Sequence, residues 1–184
     1  MGNVAGFVLA GGASRRMGRD KAFLPMDGAT LIETVAARVR GAAGSATIIG
    51  PMEKYSDLGF PVLPDAVENC GPLGGLYTAL LNTRAEWNLI VACDMPEVTE
   101  EFLRILIDAA QASGADCLAP ETSGRTDPLC AVYHARVLAA AESAINRKLL
   151  KMQDFVSTLQ TSLWPVSDSR PLKNVNTPAE WSAR

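Results

Sequence analysis

Two glycines, Gly11 and Gly12, close the apolar run from Val4 to Ala10 and open a polar stretch carrying Ser14, Arg15, Arg16, Gly18, Arg19 and Lys21. A buried strand that runs into such a loop has the make-up of a phosphate cradle. Glycine lets backbone N–H groups approach anionic oxygens, while arginine and lysine bring countercharge. The spacing excludes two common cradles. A P-loop has four residues between its glycines and then Gly-Lys-Ser/Thr, whereas five residues separate Gly12 from Gly18 and Arg19-Asp20 follow. The dinucleotide pattern G-x-G-x-x-G is absent as well.

Asp94 is the second chemical anchor, directly after the apolar run Leu89–Cys93 and within Cys-Asp-Met-Pro. A carboxylate at the carboxyl end of a strand is placed to hold Mg²⁺ between phosphate oxygens. An aspartate there could equally just fix the turn before Pro96. The cradle favours the metal, because polyphosphate and Mg²⁺ chemistry normally occur together. Asp65 follows the run Val62–Leu63, and Gly71-Pro72-Leu73-Gly74-Gly75 marks a helix start. Gly75 can admit a ligand close to the backbone or pack a helix tightly. Asn174-Val175-Asn176-Thr177-Pro178 combines a helix-capping pattern with two amides able to donate and accept. Arg147 and Lys148, with Lys151, form a cationic cluster that suits an anionic acceptor or a solvated helix face. His134, the one histidine, ends a strand and reads as structural. No Ser/His/Asp or Cys/His arrangement is present.

These residues need a frame that brings them to one edge. Ala46–Ile49, Val62–Leu63, Trp87–Cys93, Cys117–Pro120 and Leu129–Tyr133 read as strands after the first, and Trp164–Val166 as a short last one. Helical periods lie between them. Thr30-x-x-Glu33 is a capping box, followed by Leu31, Ile32, Val35, Ala36 and Val39 on one face. Leu73 to Leu81 reads as a second helix. Thr99 caps a third, with Phe102, Leu103, Leu106, Ile107 and Ala110 inward. Val137, Leu138, Ala141, Ala144 and Ile145 share a face, and a further pattern runs through Leu149, Met152, Val156 and Leu159. Thr177-Pro178-x-Glu180 starts a closing helix. Strands alternating with helices predict a three-layer αβα sandwich around a mostly parallel, Rossmann-like sheet, in a single domain over residues 1–184. Ligands of such sheets bind outside the carboxyl ends of the strands, where the Gly11 loop would lie.

Composition narrows the class. A net charge of −3 over 184 residues gives no bulk affinity for nucleic acid, so any basic site is local. Cys70, Cys93, Cys117 and Cys130 form no C-x-x-C pair and read as reduced core residues, which suits a cytoplasmic location. No apolar run approaches membrane-spanning length.

The first loop resembles that of the nucleotidyltransferases, L-A-G/A-G-x-S-x-R-M-G-x-x-K. With Gly at both 11 and 12 it is most similar to the molybdenum cofactor guanylyltransferases, whose fold is of the nucleotide-diphospho-sugar transferase type. The resemblance spans nearly the whole chain and is strongest in Leu9-Ala-Gly-Gly, Arg16-Met-Gly, Asp20-Lys21, Gly71-Pro-Leu-Gly-Gly, Cys93-Asp-Met-Pro and Asn174-Val-Asn-Thr-Pro. It implies that Leu9, Ala10, Gly11, Gly12, Lys21, Asp65, Gly75 and Asp94 bind the nucleotide. It implies that Asn174 and Asn176 line the pterin side of the cleft; Arg147 and Lys148 are read as substrate-binding cations near that side, and Asp94 as the Mg²⁺ ligand. Two departures stand out. Ile49-Gly50-Pro51 lacks an asparagine found in relatives after the second strand, and the 121–128 loop, with Arg125 and Asp127, lacks a histidine before its proline.

The activity implied is GMP transfer from GTP to the terminal phosphate of molybdopterin or molybdenum cofactor, releasing pyrophosphate. Arg16, Lys21 and Asp94 would be the catalytic residues, and transient cofactor-delivery and acceptor proteins the partners. No nucleic acid or membrane is expected. A phosphate monoester is already largely ionised near neutral pH, so the reaction needs no general base. The alternatives are a cytidylyltransferase of the same cofactor, a sugar-1-phosphate nucleotidyltransferase and a non-catalytic GTP- and pterin-binding carrier. The doubled glycine favours GTP, because CTP-using relatives tend to carry alanine at the position of Gly11. The Asn174–Pro178 motif and the short chain disfavour the sugar-phosphate enzyme.

Overall fold

A computed structural model describes residues 3–11, 20–175 and 181. The first strand, β1 (Val4–Leu9), ends at Ala10-Gly11. After a short 3₁₀ turn at Lys21–Phe23, the small hairpin β2 (Pro25–Met26) and β3 (Ala29–Thr30) leads into α1 (Leu31–Ala43). The capping box is present: Thr30 N–H donates to Glu33 Oε2 at 2.9 Å, and Glu33 N–H to Thr30 Oγ1 at 3.4 Å. Gly44, at φ +78°, ends the helix in the left-handed conformation that lacks a Cβ penalty.

Strand β4 (Thr47–Ile49) is followed by the single turn α2 (Met52–Tyr55), β5 (Val62–Leu63), α3 (Gly71–Leu81) and β6 (Trp87–Ala92). Then come α4 (Glu100–Ser113), capped by Thr99 accepting from Phe102 N–H, and β7 (Cys117–Thr122). The hairpin strand β8 (Arg125–Thr126) precedes β9 (Cys130–His134), α5 (Leu138–Asn146), α6 (Met152–Ser157) and β10 (Thr161–Pro165).

Among the described residues the main sheet runs β10-β7-β9-β6-β1-β4-β5, with β8 paired to β7. Its pairs are parallel except those of β9 with β6 and β7, and of β8 with β7. The exception has a local cause. β7 reaches β9 through the β8 hairpin and the short stretch 127–129, without the crossover helix that a parallel partner needs.

Alternation along the strands divides the core between the two faces. Val8, Ile48, Leu89 and Val91 pack with Leu31, Ile32, Val35, Val39, Leu103 and Leu106 of α1 and α4. Phe7, Leu9, Ile49, Ile90 and Tyr133 pack with Leu73, Leu76, Ala141, Ile145 and Phe155 of α3, α5 and α6 on the other face. The chain is therefore the three-layer αβα sandwich expected.

Some boundaries differ from the sequence reading. The pattern begun at Leu149 is helical only from Met152, because Lys148 takes a positive φ of +60° and leaves Leu149 37% exposed. The last strand begins at Thr161, before Trp164, and pairs in parallel with β7. Phe102, expected to point inward, packs half-buried against the core beneath α1 and α4 and stacks on Trp164 with ring centroids 6.2 Å apart. The closing helix at 177–180 lies outside the described residues.

Candidate active site

The carboxyl ends of β1 and β6 lie side by side, and that pairing makes the site. Leu9 is in register with Ala92, and Cys93 N–H donates to the Leu9 carbonyl at 3.1 Å. Gly11 and Asp94 therefore leave the same edge of the sheet two residues beyond the paired strands. Lys21 reaches across from the 3₁₀ turn and donates from Nζ to Asp94 Oδ2. Both side chains are mostly buried, so their charges are poorly screened by solvent.

Several backbone tethers fix Asp94. Arg38 of α1 donates from Nη1 to the carbonyls of Pro96 at 2.6 Å and Val98 at 2.9 Å, holding the turn after Asp94. Val175 N–H donates to the Asp94 carbonyl at 2.9 Å, which brings the exposed Asn174 beside the aspartate.

The carboxylate's other oxygen, Oδ1, is buried and has no hydrogen-bond partner among the described residues. A buried carboxylate oxygen left open in this way fits a cation ligand. Among the described residues there is no group of three or more His, Cys, Asp or Glu side chains able to cage a metal. That donor set suits Mg²⁺, which is commonly held by one or two carboxylates together with substrate phosphates and water.

A pocket of about 390 Å³ opens on the β1, β4 and β5 side of Gly11. Ala10, Gly11, Lys54, Asp65, Asn69 and Gly71 are among its lining residues. Asp65 is close enough that a Cβ at position 11 would stand 3.2 Å from its Oδ2. Burial raises the carboxyl pKa of Asp65 above its ordinary value. Gly75 is placed otherwise. It is buried on α3, where a Cβ would come within 3.0 Å of Leu9 Cδ2, so its missing side chain admits Leu9 and lies under the strand. Within the Gly71–Gly75 stretch it is Gly71, at φ +56°, that lines the pocket.

On the opposite side of Asp94 the structure assembles residues that the sequence left open. Asp127 is half-buried, and its pKa is raised by burial first, lowered by Arg125, and raised again by the charge of Asp94. Asp127 N–H donates to the Pro120 carbonyl at 2.9 Å, and Gln153 of α6 donates to the Thr126 carbonyl at 2.7 Å. That second bond brings the start of α6 to the β8 hairpin. The exposed Arg147 and Lys148, between α5 and α6, thus lie toward the same edge of the sheet as Asp94. His134 lies at the far end, in register with Trp87, with Nε2 3.3 Å from Glu86 Oε1 and Nδ1 accepting from Arg136 N–H at 3.0 Å.

Leu9, Ala10, Gly11, Lys21, Asp65 and Asp94 are thus brought to one edge, with Asn174 beside them. Gly12, Arg16 and Asn176 lie outside the described residues. Sequence reasoning missed Arg38, Lys54 and Tyr55. All three act through contacts long in sequence, and no local spacing marks them.

Residues 6–161 match the family model of the MobA-like NTP transferase domain. A probable molybdenum cofactor guanylyltransferase of Flavobacterium johnsoniae is 32% identical over 177 residues, covering 95% of this chain and 92% of the relative. One from Pelotomaculum thermopropionicum is 33% identical over 183 residues, covering 95% and 88%. The crystal structure of molybdopterin-guanine dinucleotide biosynthesis protein A from Archaeoglobus fulgidus superposes with a TM-score of 0.82 at 25% identity, covering 97% of this chain and 95% of that one.

Proposed function

Because the chain belongs to the MobA-like NTP transferase domain family, among the molybdenum cofactor guanylyltransferases, we propose that it transfers GMP from GTP to the terminal phosphate of molybdopterin or molybdenum cofactor. The products are the guanine dinucleotide form of the cofactor and pyrophosphate. The observation that carries this reading is the buried Lys21–Asp94 pair beside Gly11, with Asp94 Oδ1 left open.

The pocket at Gly11, Asp65 and Gly71 takes the nucleoside, and the triphosphate runs toward Lys21 and Asp94. The pterin phosphate, already ionised, attacks the α-phosphorus in line, so no residue need remove a proton. Lys21 stabilises charge as it moves onto the departing pyrophosphate, with backbone donors of the Gly11-Gly12 stretch and Arg16 assigned to the same task. Asp94 would hold Mg²⁺ through Oδ1, which when bound neutralises phosphate charge and orients the triphosphate. Asn174, with Asn176, Arg147 and Lys148, is assigned to the pterin side. The surroundings of Asp94 suit positioning and electrostatics, the two effects on which phosphoryl transfer chiefly depends.

Four free, buried cysteines suit a reducing cytoplasm, and no helix among the described residues is long and apolar enough to cross a membrane. Delivery of the pterin and acceptance of the product imply transient protein partners. The test is product mass after incubation with Mg²⁺, molybdopterin and an equimolar mixture of four NTPs. The guanine dinucleotide with pyrophosphate is expected. A cytosine dinucleotide would move the base preference, and release of no pyrophosphate would leave a carrier.

A further inference from the structure

We propose that Tyr55 is a positioning residue for the phosphate-handling groups: its hydroxyl clasps Ala10 and Asp20, the residues immediately before Gly11 and Lys21. The inference rests on the function proposed above. Tyr55 ends α2 and is 1% exposed. Its hydroxyl lies 3.1 Å from the Ala10 carbonyl oxygen and 3.4 Å from Asp20 Oδ2. One tyrosine side chain thereby ties together the two ends of a segment whose inner flank is Gly11 and whose outer flank is Lys21.

Asp20 relays the restraint. Its Oδ1 accepts from Ala22 N–H at 3.2 Å, capping the turn that carries Lys21, and its Oδ2 is paired with Lys54 Nζ at 3.0 Å. Lys21 is the next residue, and it donates to Asp94. The path from phenol to catalytic lysine is therefore Tyr55 to Asp20 to Lys21, through one hydrogen bond and one peptide link.

The ring is held independently of the hydroxyl. It stacks on Phe23 with centroids 5.7 Å apart, and it fills space left by Gly50, where a Cβ would stand 2.9 Å from Tyr55 Cε2. Burial and the neighbouring Asp20 charge push the phenol pKa up, so it stays protonated and can donate. Having one hydrogen, it donates to the Ala10 carbonyl, the nearer acceptor, or shares with Asp20. Because the ring keeps its packing without the hydroxyl, Tyr55→Phe removes the tethers selectively.

The experiment compares the wild type, Tyr55→Phe, Lys21→Ala and the double variant. Pyrophosphate release with GTP and molybdopterin gives turnover, thermal melting gives stability, and hydrogen exchange is read at the Ala22 and Phe23 amides. Tyr55→Phe should lower kcat about tenfold, as loss of positioning does. In the Lys21→Ala background it should cost nothing further, since the effect travels through that lysine. Exchange at Ala22 and Phe23 should quicken about tenfold while β6 keeps its protection. A kcat within about twofold of wild type, or a loss that multiplies in full with that of Lys21→Ala, overturns the proposal. Unchanged exchange at Ala22 and Phe23 overturns it too, whatever the turnover. A wild type that forms no dinucleotide would defeat the functional reading alone, and the exchange result would still decide the clasp.

Discussion

Val175 N–H donates to the carbonyl oxygen of Asp94 at 2.9 Å, joining residues 81 positions apart (175 − 94) at the edge of the sheet. The bond uses only backbone, so it places Asn174 next to the aspartate without depending on the side chain at 175. On the proposed chemistry Asn174 serves the pterin phosphate. Asn174→Ala should raise the KM for molybdopterin about fivefold, the worth of one hydrogen bond, and leave the KM for GTP unchanged. Steady-state kinetics with each substrate varied in turn checks this. A shift in the GTP constant alone would move Asn174 to the nucleotide side.

Asp94→Asn keeps the shape of the side chain but removes the charge that Lys21 pairs with and that Oδ1 would offer to a cation. Turnover should fall by at least about 100-fold, with GTP affinity changing far less. Single-turnover kinetics beside calorimetric GTP titration separates the two. Equal losses in both would make Asp94 a binding residue only.

On the proposed chemistry Lys21→Ala removes the cation that meets the departing pyrophosphate, and it leaves the mostly buried Asp94 without that partner. A fall in kcat on the order of 100-fold is expected. Turnover left intact would strike Lys21 from the catalytic residues.

Asp65 makes a pH prediction. Its carboxyl pKa is raised by burial above the ordinary 3.8, so the folded chain holds this proton more tightly than the unfolded chain. The contribution of Asp65 to stability therefore falls as pH rises through the folded pKa and recovers on acidification. Asp65→Asn should melt at a higher temperature than wild type at pH 7, and the difference should close below pH 3.8, where the carboxyl is protonated in both states. The same variant should bind GTP more weakly. Melting curves at both pH values and one titration test stability and binding together.

Gly75→Ala distinguishes a packing glycine from a ligand-facing one. The new Cβ would stand 3.0 Å from Leu9 Cδ2, so the buried Leu9 side chain must give by a few tenths of an ångström. A destabilisation of about 1–3 kcal/mol is expected from overpacking, with GTP affinity of the folded protein nearly preserved. Denaturant melts measured beside GTP titration check it.

The parts legible in the sequence share a cause: each is written in neighbouring residues. The capping box at Thr30 and Glu33, the Thr99 cap and the emergence of Asp94 from an apolar run were all visible. So were the continuous apolar runs that bury both faces of β1 and β6. A parallel sheet followed from the alternating elements, and with it a shared carboxyl edge for Gly11 and Asp94, whereas the direct pairing of β1 with β6 is written in no local pattern. What escaped depends on distance in sequence. Arg38 holds the turn after Asp94 from another helix, and Tyr55 meets Ala10 from 45 residues away. Gly75 was ambiguous because a glycine's purpose depends on what stands opposite, and Leu9 is a partner that no local pattern names. Lys148 broke a clear apolar period through its backbone angle, which no spacing of apolar residues marks.

The reversed direction of β9 has a consequence for how the site is divided. A strand that runs against its neighbours presents its beginning, not its end, at the working edge. The stretch entering it, with Asp127, therefore arrives there from a hairpin, while Gly11 and Asp65 arrive from strands that terminate there. On the proposed chemistry the nucleotide half is welded into the parallel sheet, and the acceptor half hangs from the β7–β8 hairpin, whose outer strand pairs with β7 alone among the described residues. Exchanging that hairpin between relatives is a route to a new acceptor on an unaltered nucleotide platform.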